Sequence, residues 1–551
     1  MQLLTGANTD QGPLATISRI TGAQTTQELV IVMAGLVGGA FVLKSLATLA
    51  FRWWLLGKTT AMEAEAATEL MRRYLAAPYW AHRQRKVAEI HRTLASSVAQ
   101  TFGQVFLGIF GLVADLLTIL LILALLFWVS PLATLLAAVF FFLLSWGVQR
   151  SLKPHHRRIG EAGAQSDLDA WAALMPGLSG FRESRMAGKG SLFVERFRRA
   201  KVDRARANRK LSLVNELPKY ALEVGLVVGI ALIALVLFSR MPVDGAISVL
   251  GVFAVAATRI LPVLNRVTAA FGAIRAGRVA LEILVDEVEE LEAHGSFQES
   301  AGQLRRFSGD IEVHDVTFRF QDSDDLILRR VNTAVPEGST VAFVGTSGAG
   351  KSTLLDIILG LLDPTSGSVT CGGTDVRADL PSWYAGLGVV PQDVFLLDDT
   401  VAANIAFGES AATIDHDRLR HALDSAQLTD LIGHLSEGLE TRLGERGIRL
   451  SGGQRQRIGI ARALYREPSV LVLDEATSAL DNITERQITD TIASLRGSMT
   501  IILVAHRLST VRHADKVVFM AEGTIQTEGT FVEVEQVSPE FARLVELGRL
   551  A

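Results

Sequence analysis

The hydrophobic pattern divides the chain in two. Up to about Asp286 the apolar residues crowd into long runs, and beyond it they break into the short strand-like and helix-like runs of a soluble α/β domain. Five long runs stand out: Leu29–Leu56, Phe102–Val129, Leu132–Val148, Tyr220–Phe238 and Ala246–Val267. Most reach the ~20 residues that carry a helix across a bilayer. Stretches such as Leu116–Val129 are apolar on every face, which argues for membrane spans over buried helices of a large soluble protein. Ser130–Pro131 predicts a tight hairpin between the second and third spans.

Charge placement orients the spans. Arg52, Lys58, Arg72, Arg73, Arg83, Arg85, Lys86 and Arg92 lie between spans one and two. Arg150, Lys153, Arg157, Arg158 and a dense basic set from Arg182 to Lys210 lie between spans three and four. The opposite connections are short and carry only Arg240, so the basic loops are expected in the cytoplasm. Their helical spacing predicts that the spans continue beyond the membrane. An odd number of spans places the N-terminus outside and everything after Val267 inside, in the cytoplasm. Asp286 to Ser308, acid-rich with glycine punctuation, predicts a linker. The expected organisation is a transmembrane domain over residues 1–285, a linker over 286–308 and a soluble α/β domain over 309–551.

Composition narrows this further. Of 551 residues, 49% are hydrophobic and the formal net charge is −4, which argues against a nucleic-acid binder working by bulk charge. The single cysteine, Cys371, cannot form an intramolecular disulfide. The residues before the first span lack the basic start and apolar core of a cleaved signal peptide.

The soluble half carries a phosphate-binding pattern. Gly345-Thr346-Ser347-Gly348-Ala349-Gly350-Lys351-Ser352 follows a predicted strand at Thr340–Val344 and precedes a predicted helix at Thr353–Leu361. Glycines let backbone N–H groups wrap phosphates, Lys351 suits the β and γ phosphates, and Ser352 suits Mg²⁺. Val470–Leu473 predicts a second buried strand ending in Asp474 and Glu475. Asp474 suits Mg²⁺ through water, and Glu475 suits the base that polarises attacking water. Leu450-Ser451-Gly452-Gly453-Gln454 then resembles the signature of the ABC ATPases.

The rest of that family's set occurs in order. Phe320 resembles the aromatic that stacks on adenine, and Gln392 in Val390-Pro391-Gln392-Asp393 resembles the Q-loop glutamine that binds Mg²⁺. Ser478-Ala479-Leu480-Asp481 resembles the D-loop, and His506 the switch histidine at the γ-phosphate. Glu445-Arg446-Gly447 resembles the exporter-type segment beside the signature. The resemblance makes Glu475, His506 and Gln392 the catalytic residues. It gives nucleotide contacts to Phe320, the loop through Thr353, Ser451, Gly452, Gly453, Gln454 and Asp481. In the family the signature caps the ATP held by a partner's loop, so a second copy of the chain or a homologous half-transporter is implied.

The membrane half resembles ABC exporters less specifically, through Ala76-Ala77-Pro78-Tyr79 and Gly180-Phe181-Arg182-Glu183-Ser184-Arg185 in the two basic loops, where the family has its coupling helices. The pattern most resembles flippases of lipid-linked oligosaccharides. Exporters of this kind have six spans. Here the family's first is missing, which is expected to reflect a start downstream of the natural one, with a five-span variant as the alternative.

The expected fold is therefore an α-helical transmembrane bundle followed by an α/β P-loop ATPase domain. The expected function is ATP- and Mg²⁺-dependent export or flipping, in a bacterial plasma membrane with the ATPase in the cytoplasm. Peptide or drug export, an ATP-gated regulator, and a soluble ABC ATPase are the rivals, the last disfavoured by the spans. Lys44, Asp115 and Arg259 lie inside apolar spans, where ionisable groups are costly. The bland expectation is snorkelling for the two cations and a structural pairing of Asp115 with one of them. The functional expectation is a cationic lining for an anionic lipid head group.

Overall fold

The computed structural model describes residues 26–240, 242–293, 304–320, 323–444, 450–474, 482–504 and 508–547. Two compact units emerge, Met1–Ala77 with Ala81–Ser296, and Pro78–Trp80 with Phe297–Ala551.

The described residues of the first unit are almost all helical. Its five long helices are α1 (Thr26–Ala76), α3 (Val87–Val129), α4 (Pro131–Ser179), α6 (Gly190–Arg240) and α7 (Val243–Ala293). Each is long and apolar enough to cross a membrane, and each runs well past its apolar stretch, as the spacing in the basic loops predicts. Short helices α2 (Tyr79–Gln84) and α5 (Phe181–Met186) sit in the two basic loops. Ser130 is extended and breaks the chain between α3 and α4, with Pro131 opening the latter helix. Helix α3 is irregular: two π-helical turns, Arg92–Ser97 and Thr101–Phe106, interrupt it before the membrane stretch.

Helices α4 and α6 approach closely because α6 is bare there. A Cβ at Gly225 would lie 2.2 Å from Leu144, and Gly229 faces Phe140 and Phe141. Small residues four apart let helices meet where water supplies no driving force. Leu126, Ala133, Ile233, Leu237, Ala246 and Phe253 form one buried cluster; Leu70, Tyr74, Val98, Phe102 and Leu291 form another on the extensions.

The expected linker begins later than its composition suggests. Asp286 to Ala293 is the end of α7. The acidic run is helical because it is paired: Arg85 lies 3.4 Å from Glu287 and 3.0 Å from Glu290, and Arg73 bonds Glu292.

The second unit holds two sheets. An antiparallel sheet has the order β2-β1-β4-β5, from β1 (Ile311–Phe318), β2 (Leu328–Val335), β4 (Ser366–Cys371) and β5 (Thr374–Asp375). The main sheet has the order β10-β9-β3-β8-β7-β6. Its strands are β3 (Thr340–Gly345), β6 (Leu387–Val390), β7 (Val470–Asp474), β8 (Thr500–Val504), β9 (Lys516–Ala521) and β10 (Thr524–Gly529). All neighbours are parallel except β9 and β10. Strand β3 is buried at every position, as expected of a parallel strand covered on both faces. Burial also silences the lone cysteine: Cys371 donates weakly to the Gly309 carbonyl, and its thiol is pushed up to about 11.

Candidate functional site

Strand register assembles the site. Phe343 of β3 lies level with Val504 of β8, and Val504 with Asp474 of β7. Leu473 in turn lies level with Val390 of β6. The carboxyl ends of four adjacent parallel strands thus share one edge, at ~5 Å per step. That edge carries the loop after Gly345, Asp474, and Gln392 two residues beyond β6. Loops at this edge of a parallel sheet are where such folds bind ligands.

The phosphate loop has the geometry its sequence demands. Gly345 (φ 156) comes so close to β9 that a Cβ would lie 2.0 Å from the Met520 carbonyl oxygen. Gly348 (φ 83) turns the loop in a left-handed conformation open to no Cβ cost. Lys351 opens α8 (Lys351–Ile358) and is 7% exposed. Its ammonium donates to the carbonyls of Gly345 at 2.7 Å and Thr346 at 3.1 Å, which fixes the charge at the mouth of the loop. Ser347, Gly348 and Ser352 are exposed, Thr346 and Thr353 half-buried, and Ala349 is buried and pinned by its N–H to the Thr346 carbonyl.

The flanking sheet reaches the same loop. A Cβ on Gly350 would lie 2.7 Å from Leu328 of β2, and Leu328 pairs with Phe318. Phe320, half-buried, stands edge-on to Phe318 with ring centroids 5.0 Å apart. The proposed adenine-stacking ring therefore belongs to the hairpin that touches the phosphate loop.

The signature forms a separate helix start. Ser451 caps α9 (Gly452–Tyr465) through a capping box: its hydroxyl accepts from the Gln454 N–H at 3.2 Å, and the Gln454 side chain accepts from the Ser451 N–H at 2.8 Å. Ser451 and Gln454 thus hold each other, and the N–H groups of Gly452 and Gly453 open the helix with its positive dipole end. The Ser-x-x-Gln spacing signals this box, and the sequence reading passed over it. Glu475, Ser478 to Asp481, His506 and Glu445 to Gly447 lie outside the described residues.

In the membrane unit Lys44 and Arg259 both lie near one aromatic ring. Arg259 lies 5.0 Å and Lys44 5.8 Å from the centroid of the Phe41 ring, and both are exposed. Asp115 pairs with neither. Arg266 holds it, with bonds at 2.6, 3.0 and 3.2 Å. The reason is directional. Side chains lean toward their helix's N-terminus, so Asp115 on α3 leans inward while Arg259 and Arg266 on the antiparallel α7 lean outward. Asp115 and Arg266 converge, and Arg259 leans away. A charge one heptad after Arg259 was the signal for this partner.

A family model described as ABC transporter matches residues 328–478. The chain is 42% identical over 233 residues to an ATP-dependent lipid A-core flippase of Cupriavidus metallidurans; that match covers 42% of this chain and 39% of that protein. It is 32% identical over 463 residues to the heterocyst differentiation ATP-binding protein HepA of a Nostoc species, covering 82% of this chain and 73% of that one. Among solved structures, a bacterial Atm1-family exporter with ATP bound superposes with a TM-score of 0.79 at 24% identity, over 97% of this chain and 93% of that chain. The last likeness establishes the fold.

Proposed function

The chain belongs to the ABC transporter family, and from that membership we propose that it is one half of a dimeric exporter that uses ATP hydrolysis to move a lipid with an anionic head group across the membrane. The observation that carries the reading is the strand edge. A phosphate loop, an acid-ended strand and a glutamine converge there, in a chain whose described residues also include five helices fit to cross a membrane.

In this reading Lys351 and the loop N–H groups hold the phosphates of ATP. Ser352, Asp474 and Gln392 offer a hydroxyl, a carboxylate and an amide oxygen, the hard donors that suit Mg²⁺. The ion would offset charge on the phosphates. Glu475 takes a proton from water as its oxygen attacks the γ-phosphorus, the bond to the ADP oxygen breaks, and His506 steadies the γ-phosphate. Phe320 stacks on the adenine. Ser451, Gly452, Gly453, Gln454 and Asp481 serve the nucleotide of a second subunit, a copy of this chain or a homologue. Lys44 and Arg259 supply cationic charge for the lipid head group, with Asp115 neutralised by Arg266. Relatives named as lipid A-core flippases support a lipid cargo.

The test is reconstitution. Wild-type protein in liposomes should move a labelled anionic lipid between leaflets only with ATP. Glu475→Gln should keep ATP binding and lose both hydrolysis and movement. ATP hydrolysis by the wild type with no movement of any lipid would overturn the lipid reading and leave peptide or drug export or an ATP-gated regulator.

A further inference from the structure

Helices α3, α4, α6 and α7 line a partly open cavity of about 550 Å³, within the size range of small-molecule sites. Its α7 wall is formed by residues such as Phe253, Ala257 and Phe271, and Lys44, Arg259 and Arg266 are absent from its lining. Along α7 the lining runs from Phe253 to Arg275, ~33 Å at 1.5 Å per residue, about the thickness of a bilayer's hydrocarbon core. The walls are aliphatic and aromatic for most of that length. The polar lining side chains, Ser145, Gln149 and Arg275, gather toward one end.

That end coincides with a boundary readable in the sequence. Gln149 directly follows the apolar run on α4, and Arg275 lies about two turns past the apolar run on α7. Both runs end there on the cytoplasmic side, at the level of lipid head groups. Arg275 is half-buried. One of its terminal nitrogens donates to the Gln149 side-chain oxygen at 2.6 Å and to the Gln149 carbonyl at 3.1 Å. Gln149 is held in turn by donating to the Thr268 carbonyl at 3.2 Å. The clamp orients the guanidinium and leaves its other N–H groups for a further acceptor, since the group has five. Among the described residues no carboxylate pairs with Arg275, whereas Arg266 has Asp115. A half-buried cation without a counter-ion is costly, and an oxyanion placed there relieves the cost.

We propose that this cavity binds one single-chain anionic amphiphile of the fatty-acid class from the cytoplasmic leaflet, its tail along α7 and its carboxylate on Arg275. A slot of this length and volume takes one extended chain. The inference stands apart from the transport reading, because binding requires no ATP and can be read on a protein that hydrolyses none.

The test uses the full chain in an uncharged detergent, with bromine-labelled hexadecanoate as a quencher of Trp146, which lines the cavity. Saturable quenching is expected in the wild type, and the part of it lost in Trp146→Phe reports the cavity, since detergent-facing tryptophans such as Trp128 are quenched in both. Hexadecanol, with the same tail and no charge, should compete at least tenfold more weakly than hexadecanoate. Arg275→Lys should retain binding within a few-fold, Arg275→Gln should weaken it at least tenfold, and Ala257→Phe should abolish it by filling the slot. If Arg275→Gln fails to fold without its clamp on Gln149, the comparison of acid and alcohol on the wild type decides alone. Equal competition by acid and alcohol overturns the proposal, as does unchanged quenching in Ala257→Phe or Trp146→Phe.

Discussion

The two halves spend the same apolar residue types in opposite ways. In the ATPase half, Val344, Leu354, Leu419, Ile502 and Phe519 are fully buried within their own unit. In the membrane half, Trp128 is 92% exposed and Leu121 66%, and the apolar windows of the five helices are at most 28% buried. The ATPase half excludes water with its own chain. The membrane half folds outside-in: its helices satisfy their backbones internally, and lipid or another subunit must cover what the chain leaves bare. The ATPase half is self-sufficient in its core, and its reading makes it dependent on a partner only at its site.

The sharpest way to break that comparison is at the signature. Ser451 caps α9, and its hydroxyl accepts from the Gln454 N–H. If it serves a partner's ATP, Ser451→Arg should reduce ATP hydrolysis at least a hundredfold while nucleotide binding at Lys351 persists. Mixing it with Lys351→Ala should restore part of the activity, because one composite site then combines an intact loop with an intact signature. The measurement is steady-state hydrolysis of each variant and of the mixture. Full activity of Ser451→Arg alone would show that the site is complete within one chain.

Much of this was written locally in the sequence. The phosphate loop reads directly, because glycines at Gly345 and Gly348 answer backbone demands that any neighbour would impose. Span number and cytoplasmic extension read directly too, since hydropathy and helical spacing are properties of single segments. What stayed hidden depends on two segments at once. The acidic run from Asp286 looks like linker until Arg85 and Arg73 are found beside it. Depth counting alone sets Asp115 near Arg259, and only the lean of side chains on antiparallel helices selects Arg266. The clamp of Arg275 on Gln149 joins residues far apart in sequence and has no local signature at all.

A second prediction sets one leucine against another. Leu419→Ala removes a fully buried side chain from the ATPase core and should cost about 2–5 kcal/mol. Leu121→Ala, on the bare face of α3, should change stability by no more than ~0.5 kcal/mol, as for substitutions away from packed contacts. Thermal unfolding in detergent, followed separately for the two units, measures both. A loss at Leu121 as large as at Leu419 would mean that another subunit, and not lipid, covers that face.

The finest distinction lies between the two partners of the ion pair inside the membrane half. Asp115 is mostly buried while Arg266 remains 58% exposed at the side chain, so the two partners are not equivalent. Asp115→Asn removes the buried charge and leaves a guanidinium that already reaches solvent or head groups. Arg266→Gln strands a carboxylate among the apolar residues of α3, which is the costlier loss because a buried unpaired charge keeps its desolvation penalty. Arg266→Gln should therefore lower the melting temperature more than Asp115→Asn. Removing both charges together should recover most of the difference, since the stranded carboxylate is then gone. If the pair instead helps to draw an anionic head group, Asp115→Asn should raise lipid-stimulated ATP hydrolysis, by freeing a third cation beside Lys44 and Arg259. Equal melting temperatures for the two single variants would show that Asp115 is hydrated in the intact protein. The membrane half would then hold water where its apolar helices give no sign of it.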